Sequence, residues 1–257
     1  MNKKLKIVII VSLVVIFFVG VVLIVSNRNS GDGPSEIVAE GEKITSETSY
    51  LSLENYETNL SIVEPGSYIL AGNLDNSIIV DANGPVTLAL NTVKISSSTA
   101  AIINKTDNPL ELILIQDSVN EIYGGSNKKY RAAIYSVGNI TISGSKGGLI
   151  TGGKLSSTTP IYSNGNIELS SGTVIMLGKS PISVESMSIA TKYVSFELDD
   201  VVSSDHGTSI LNGDGDVMCS FSAGIDYKNL LLASDDLEDK KHFLSVDGEI
   251  KKSGIMP

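Results

Sequence analysis

The chain has 257 residues, of which 29 are acidic and 19 basic, and its formal net charge is −10 at pH 7. An acidic surplus excludes the basic footprint that nucleic-acid binding needs, so we expect no nucleic-acid partner. The single cysteine, Cys219, excludes an intramolecular disulfide framework. Its place in an alternating segment predicts a small core residue.

The first element is an apolar segment at residues 7–25, which runs for 19 residues without a charge. At a rise of about 1.5 Å per residue, a helix of this length crosses a hydrocarbon core of roughly 30 Å. Three lysines precede the segment and only Arg28 follows it closely. The positive-inside rule therefore predicts a cytoplasmic N-terminus, a single-pass cell-membrane anchor within residues 1–28 and an extracytoplasmic remainder.

The alternative for this segment is a cleaved signal peptide, which would make the protein secreted. The apolar run is longer than the usual 7 to 15 residues, and Ile24 stands where a small residue is expected. Both signals favour an uncleaved anchor. Residues 29–58 are mostly polar and predict a spacer followed by an N-terminal cap.

Internal repeats come next along the chain. A small residue, an isoleucine, a polar turn and an alternating strand recur in residues 133–144, 160–172 and 181–191. Their first-strand isoleucines are Ile134, Ile161 and Ile182, which are 27 and 21 residues apart. Two earlier units open at Ile79 and Ile102. The second strands carry matching apolar pairs, Ile140/Ile142, Ile167/Leu169 and Met187/Ile189.

Short period-2 strands at this spacing are typical of a solenoid with one coil per repeat. Each unit buries too few aliphatic side chains to be stable alone, whereas stacked units share a core. We therefore predict an all-β, single-stranded parallel β-helix over residues 59–250, with residues 242–250 as a last strand and residues 251–257 as a flexible tail. The alternative is an antiparallel sandwich with hairpins every 8 to 12 residues, which gives no reason for the units to match position by position.

The segment GSYILAGNLDNSIIVDANGPVTLALNTVKISSSTAAI at residues 66–102, with AAIYSVGNITISG after it, follows an ordered pattern. This pattern resembles the bacterial extracellular carbohydrate-binding domain family, whose fold is a right-handed parallel β-helix like that of pectate lyases. The resemblance extends over most of residues 60–250. It implies right-handed coiling and binding of polysaccharides, either cellulose or pectin-like acidic chains, with calcium held in acidic turns.

The chain departs from that family where calcium is concerned. The family's second strands typically follow Asp-Asp, whereas Gly138-Asn139 and Gly165-Asn166 stand there in this chain. Calcium takes six to eight oxygen ligands, so these turns predict weakened or lost sites, and we expect no cofactor to be required. Calcium, which the resemblance implies, would need other acidic residues, namely Asp199, Asp200, Asp205, Asp214 and Asp216. The alternative for these residues is solvated turns.

Aromatic side chains are the usual partners of sugar rings, and the chain has no tryptophan. Tyr135 and Tyr162 each follow a matched isoleucine, so a period-2 strand points both rings outward on neighbouring coils, about 4.8 Å apart. We predict that these tyrosines, with the nearby Asn139 and Asn166, contact a glycan. The alternative is ordinary cross-strand stacking without a ligand.

A lyase of the pectate type would need a strong base beside metal-binding carboxylates. The predicted exterior has one arginine, Arg131, which lies in a lysine-rich insertion, and two histidines, His206 and His242. The sequence therefore predicts no enzyme. It predicts a membrane-anchored, extracytoplasmic protein that binds polysaccharide on a face of the β-helix without catalysis. The alternatives are a structural or adhesive cell-envelope protein with no glycan ligand, and a degenerate polysaccharide lyase.

Overall fold

A computed structural model describes residues 37–39, 42–44, 48–125, 129–254 and 256. The predicted membrane anchor and cytoplasmic tip lie outside these described residues, and so do residues 29–36, 40–41 and 45–47 of the predicted spacer and cap. No helix in the described part is long and apolar enough to cross a membrane. Its helical structure consists of one 3-10 turn at Leu53–Asn55.

The described residues otherwise form short β-strands, which confirms the all-β class. The strands up to the last repeat are β1 (Ile37–Ala39), β2 (Glu42–Ile44), β3 (Ser49–Ser52), β4 (Leu60–Ile62), β5 (Gly66–Leu74), β6 (Ile78–Val80), β7 (Val86–Ser96), β8 (Ile102–Asn104), β9 (Leu110–Leu114), β10 (Val119–Gly124), β11 (Ala132–Ser136), β12 (Ile140–Ser143), β13 (Gly148–Gly153), β14 (Thr159–Ser163), β15 (Ile167–Leu169), β16 (Thr173–Gly178) and β17 (Met187–Ile189). The later strands are β18 (Lys192–Val202), β19 (Gly207–Leu211), β20 (Val217–Ser222), β21 (Tyr227–Ser234), β22 (Phe243–Val246) and β23 (Glu249–Ser253).

Strands β3 to β17 pair with one another only in parallel and form three stacks. The first stack contains β4, β6, β8, β11 and β14. The long strand β7 belongs to the other two, because residues 86–90 pair with β9 and residues 94–96 pair with β10. The second stack continues through β12, β15 and β17, and the third through β13 and β16. From β8 to β16 the chain visits the three stacks in a fixed order, so each repeat contributes one strand to each.

The register of the first stack places one aliphatic column in the core. Its members are paired in sequence and almost fully buried: Leu60, Ile78, Ile102, Ile134 and Ile161. The predicted alignment of the last three is therefore confirmed. The predicted pairs of the second strands are also confirmed, since Ile140 pairs with Ile167 and Ile167 with Met187.

Two isoleucines of the predicted repeat are placed differently by the structure. Ile79 pairs with Ile103, so the inward position of that unit belongs to Ile78. A shift of one residue exchanges the two faces of a strand, and two adjacent isoleucines leave the sequence pattern unable to choose between them. Ile182 is half-buried and lies outside the strands, so the last unit lacks a strand in the first stack.

Strands after β17 pair antiparallel, although the sequence analysis expected parallel strands up to residue 250. Strand β21 lies between β16 and β18, and β19, β20, β22 and β23 form a separate four-stranded sheet. The predicted last strand at residues 242–250 is β22 and the start of β23. Between these two strands Asp247 and Gly248 have φ values of 49° and 82°. An Asp-Gly pair with both φ values positive is the signature of a tight hairpin turn.

The positive φ of Gly248 predicts that a larger residue at this position lowers the stability of the protein. Replacing Gly248 with alanine forces a side chain into a left-handed conformation, so we expect the free energy of unfolding to fall by about 1 kcal/mol. Urea denaturation measures this loss. The control is Gly148→Ala, where φ is not positive and the added Cβ atom meets its nearest neighbour at 3.6 Å. Equal denaturation midpoints for Gly248→Ala and the unaltered protein would contradict the assignment of the turn.

Cys219 differs from its predicted place in the core, because it is only half-buried. It lies on β20, an outer strand of the four-stranded sheet. It packs from one side against a cluster of buried hydrophobic residues that includes Val194, Ile210 and Leu244. Partial burial raises the pKa of the thiol to about 11, which keeps it protonated at neutral pH.

Candidate functional site

The predicted stack of two tyrosine rings is present on the outside of the first parallel stack. Tyr135 on β11 pairs in register with Tyr162 on β14. The ring centroids are 5.5 Å apart and the ring planes differ by 11°. The neighbouring Ile134 and Ile161 are buried, so the alternation of each strand turns the two rings away from the core.

A third ring, which the sequence analysis missed, completes this group. Tyr130 lies just before β11, its centroid 5.0 Å from that of Tyr135, with an interplanar angle of 60°. The Nζ atom of Lys129 lies 5.1 Å from the centroid of Tyr130. Tyr130 belongs to the loop of the longest repeat, where no periodicity marks which way a side chain points. We call Tyr130, Tyr135 and Tyr162 the tyrosine cluster.

Tyr162 is the most exposed ring of the tyrosine cluster. Parallel rings at this separation are offset and overlap in part. Tyr135 is half-buried, because it has the Tyr162 ring on one side and the edge-on ring of Tyr130 close by. Tyr162 is 45% exposed. Strand β14 ends the five-stranded sheet, so no further strand of that sheet covers the side of Tyr162 turned away from Tyr135.

Tyr135 and Tyr162 belong to a column of outward-facing residues, one from each strand of the first stack, and the residue type in this column differs from strand to strand. Its earlier members, in register order, are Ser61, Ile79 and Ile103. Ile103 is only 3% exposed, which shows that this part of the outer face is covered. Within this column, the aromatic residues are therefore confined to the last two coils, at Tyr135 and Tyr162.

The predicted asparagines lie in the turns that follow the two tyrosine-bearing strands. The Oδ1 atom of Asn139 accepts a hydrogen bond from the backbone N–H of Asn166, at 2.9 Å. A Cβ atom at Gly165 would lie 2.2 Å from the same oxygen, so this contact depends on glycine. Both asparagines are exposed. The bond gives Asn139 a structural role between successive turns, and glycan contact by either residue stays a prediction.

The tyrosine cluster and the two asparagines lie in a region that matches a protein-family model. A family model described as a carbohydrate-binding domain-containing protein matches residues 56–180, slightly less than half of the chain. The match supports a carbohydrate-binding domain. It extends over β4 to β16 and includes the tyrosine cluster, Asn139 and Asn166. No curated protein and no solved structure matches the chain.

The carbohydrate-binding match is shorter than the resemblance expected over residues 60–250, and it ends before the five predicted metal ligands. Asp199 and Asp200 lie on β18, Asp205 lies in the turn before β19, and Asp214 and Asp216 lie in the turn between β19 and β20. Among the residues whose placement is described, no group of three His, Cys, Asp or Glu side chains has a geometry that could hold a metal ion. Calcium binding by these five residues stays a prediction.

Several of the acidic residues have structural partners in hydrogen bonds and ion pairs. The Oδ1 atom of Asn212 accepts the N–H groups of Asp214 and Asp216, at 3.0 and 2.8 Å. This is the side-chain-to-backbone pattern of a turn. The carboxylate of Asp214 lies 3.2 Å from the Nζ atom of Lys240, and an ion pair of 3.1 Å joins Asp199 to Lys252.

A groove of about 450 Å³ lies in the antiparallel part, beyond the carbohydrate-binding match. Its polar lining consists of Asp199, Asp200, His206, Asp247, Glu249 and Lys251. The imidazole of His206 is hydrogen-bonded to the carboxylate of Asp247 through Nδ1. That hydrogen bond raises the pKa of His206 and lowers the pKa of Asp247. No Tyr, Phe or Trp side chain lines the groove, so it lacks the flat apolar surface against which a sugar ring stacks.

The His206 pair predicts a measurable pH response. The pKa of His206 is higher in the folded protein than in the unfolded chain, where it is about 6.5. Protonation of His206 therefore stabilises the fold fully at pH values below the unfolded-state pKa. This stabilisation is lost as the pH rises through the folded-state pKa. The variant Asp247→Asn is therefore expected to lower the pKa of His206 in an NMR titration of its ring protons. The control Asp214→Asn is expected to leave that pKa unchanged. An unaltered His206 titration in Asp247→Asn would contradict the pairing.

Proposed function

We propose that this is a membrane-anchored, extracytoplasmic carbohydrate-binding protein that binds polysaccharide at the tyrosine cluster without catalysis. The observation that carries the proposal is the exposed ring of Tyr162, which lies within the region that matches a carbohydrate-binding family. The proposed scaffold is a right-handed parallel β-helix. The parallel register of β3 to β17 supports the β-helix, and the family resemblance supports its hand.

A sugar ring has an apolar face made of C–H groups, and such a face packs against an aromatic ring much as two apolar side chains do. Tyr162 supplies the ring, Tyr135 stacks on one side of it, and Tyr130 packs edge-on against Tyr135. Asn164, an exposed polar residue, lies two positions after Tyr162 in the turn that follows β14. A few polar groups around an apolar contact are the usual composition of a ligand site. One exposed ring implies that the glycan is held mainly through one sugar ring.

The other parts of the proposal rest on the sequence. The apolar residues 7–25 support the membrane anchor, and the family resemblance supports a cellulose-like or pectin-like chain as the partner. Binding that does not require calcium is supported by Gly138-Asn139 and Gly165-Asn166, which replace acidic turns. The absence of catalysis is supported by the position of the His206–Asp247 pair, which lies in the antiparallel strands, outside the region that matches a carbohydrate-binding family.

A glycan array tests this proposal. The full-length chain in a mild detergent is applied to immobilised cellohexaose and hexagalacturonate, with calcium and with a calcium chelator. We expect binding to at least one of these glycans, and the same signal in chelator. No binding to either would contradict the proposal and favour the structural or adhesive envelope protein. Unsaturated uronate released from hexagalacturonate, measured by its ultraviolet absorbance, would instead favour the degenerate lyase.

A further inference from the structure

The outer strands of the described sheets are protected from pairing with other chains, with one exception. Protection usually comes from short length, charged side chains or proline. Five of the outer strands have only three or four residues, namely β1, β2, β3, β4 and β17. Strand β14 contains Pro160, and β18 and β23 carry several charged residues. Strand β20 is six residues long, Val217–Ser222, and contains neither a charge nor a proline.

The core beneath this edge is also incompletely covered. Cys219 and Phe221 on β20 pair with Ile210 and Thr208 on β19. Ile210 and Thr208 are buried, whereas Cys219 and Phe221 are only half-buried although they pack against the same hydrophobic cluster. The apolar layer of the four-stranded sheet therefore continues to β20, and none of the described strands lies beyond it.

We propose that β20 is a dimerisation edge, which pairs antiparallel with β20 of a second copy of the chain. Two copies of one strand meet antiparallel about a two-fold axis, so the edge is self-complementary and needs no other sequence. The chain carries a net charge of −10, and an uncharged edge avoids placing like charges opposite each other. Pairing would join two sheets into one of eight strands and cover the half-buried Cys219 and Phe221.

Adding a charged side chain to β20 tests whether this strand is the dimerisation edge. Ser222 is exposed, and the variant Ser222→Lys gives β20 the lysine protection that β23 has. The matched control is Ser253→Lys, an exposed serine on β23. Sedimentation velocity of the full-length chain in detergent is expected to show a dimer fraction that rises with concentration in the unaltered protein and in Ser253→Lys. Ser222→Lys is expected to weaken the dimer at least about tenfold.

Hydrogen exchange distinguishes pairing at this edge from association elsewhere. The backbone amides of β20 are expected to exchange more slowly as protein concentration rises, and this change is expected to disappear in Ser222→Lys. A single monomeric species at every concentration would overturn the proposal. A dimer that Ser222→Lys leaves intact, or a dimer that gives β20 no added protection, would overturn it as well.

Discussion

Replacing Tyr162 with alanine is expected to weaken glycan binding by about tenfold or more, which corresponds to roughly 1.4 kcal/mol of binding free energy. The substitution removes the most exposed ring of the cluster and leaves the half-buried Tyr135. Tyrosines at the centre of a contact commonly account for a large share of its binding energy. Titration calorimetry of the full-length chain with cellohexaose and with hexagalacturonate measures the change.

Two further variants test whether the affinity depends on the aromatic ring at position 162 and not on any exposed tyrosine. Tyr162→Phe keeps the ring and is expected to retain most of the affinity. Tyr50→Ala removes a ring that is 55% exposed on β3, at the other end of the parallel strands, and is expected to bind like the unaltered protein. Full affinity in Tyr162→Ala, or an equal loss in Tyr50→Ala, would contradict the proposed site.

Replacing Ile134 with alanine is expected to lower the free energy of unfolding by about 2–5 kcal/mol. Ile134 has no exposed surface and pairs with Ile102 on one side and Ile161 on the other, so its loss leaves a cavity in the middle of the aliphatic column. The loss also weakens the contacts between successive coils, on which a stacked structure depends. Urea denaturation followed by circular dichroism measures the change.

Smaller substitutions calibrate this result. Ile134→Val removes one methylene group and is expected to cost about 0.5–1.5 kcal/mol. Ile250 is 61% exposed on β23, so Ile250→Ala is expected to change stability by at most about 0.5 kcal/mol. If Ile134→Ala and Ile250→Ala denatured at the same urea concentration, the column would not be the core of the protein.

The parallel stacks could be predicted because the chain repeats itself. Three matched units fixed the alignment of Ile134 with Ile161, and the outward direction of Tyr135 and Tyr162 followed from alternation alone. The alignment failed where the pattern was ambiguous. At Ile78 and Ile79 both faces of the strand carry an isoleucine, so only the hydrogen-bonded register decides which side chain is inside.

The antiparallel end and the third tyrosine lay beyond the repeat pattern. Residues 192–253 do not match the repeats, so nothing in their alternation distinguished parallel from antiparallel pairing. The Asp247-Gly248 turn was a signal that the sequence contained, and it would have divided the predicted last strand in two. Tyr130 gave no such signal, because its contact with Tyr135 arises from the path of a loop.

The central claim is that a sugar ring packs on the outer face of Tyr162. Nuclear Overhauser effects between tyrosine ring protons and the C–H protons of a bound oligosaccharide test it most directly, with Tyr162→Phe used to assign the Tyr162 signals. We predict contacts from Tyr162 to one sugar ring. Contacts confined to residues of the His206–Asp247 groove, or bound oligosaccharide with no contact to Tyr162, would contradict the claim.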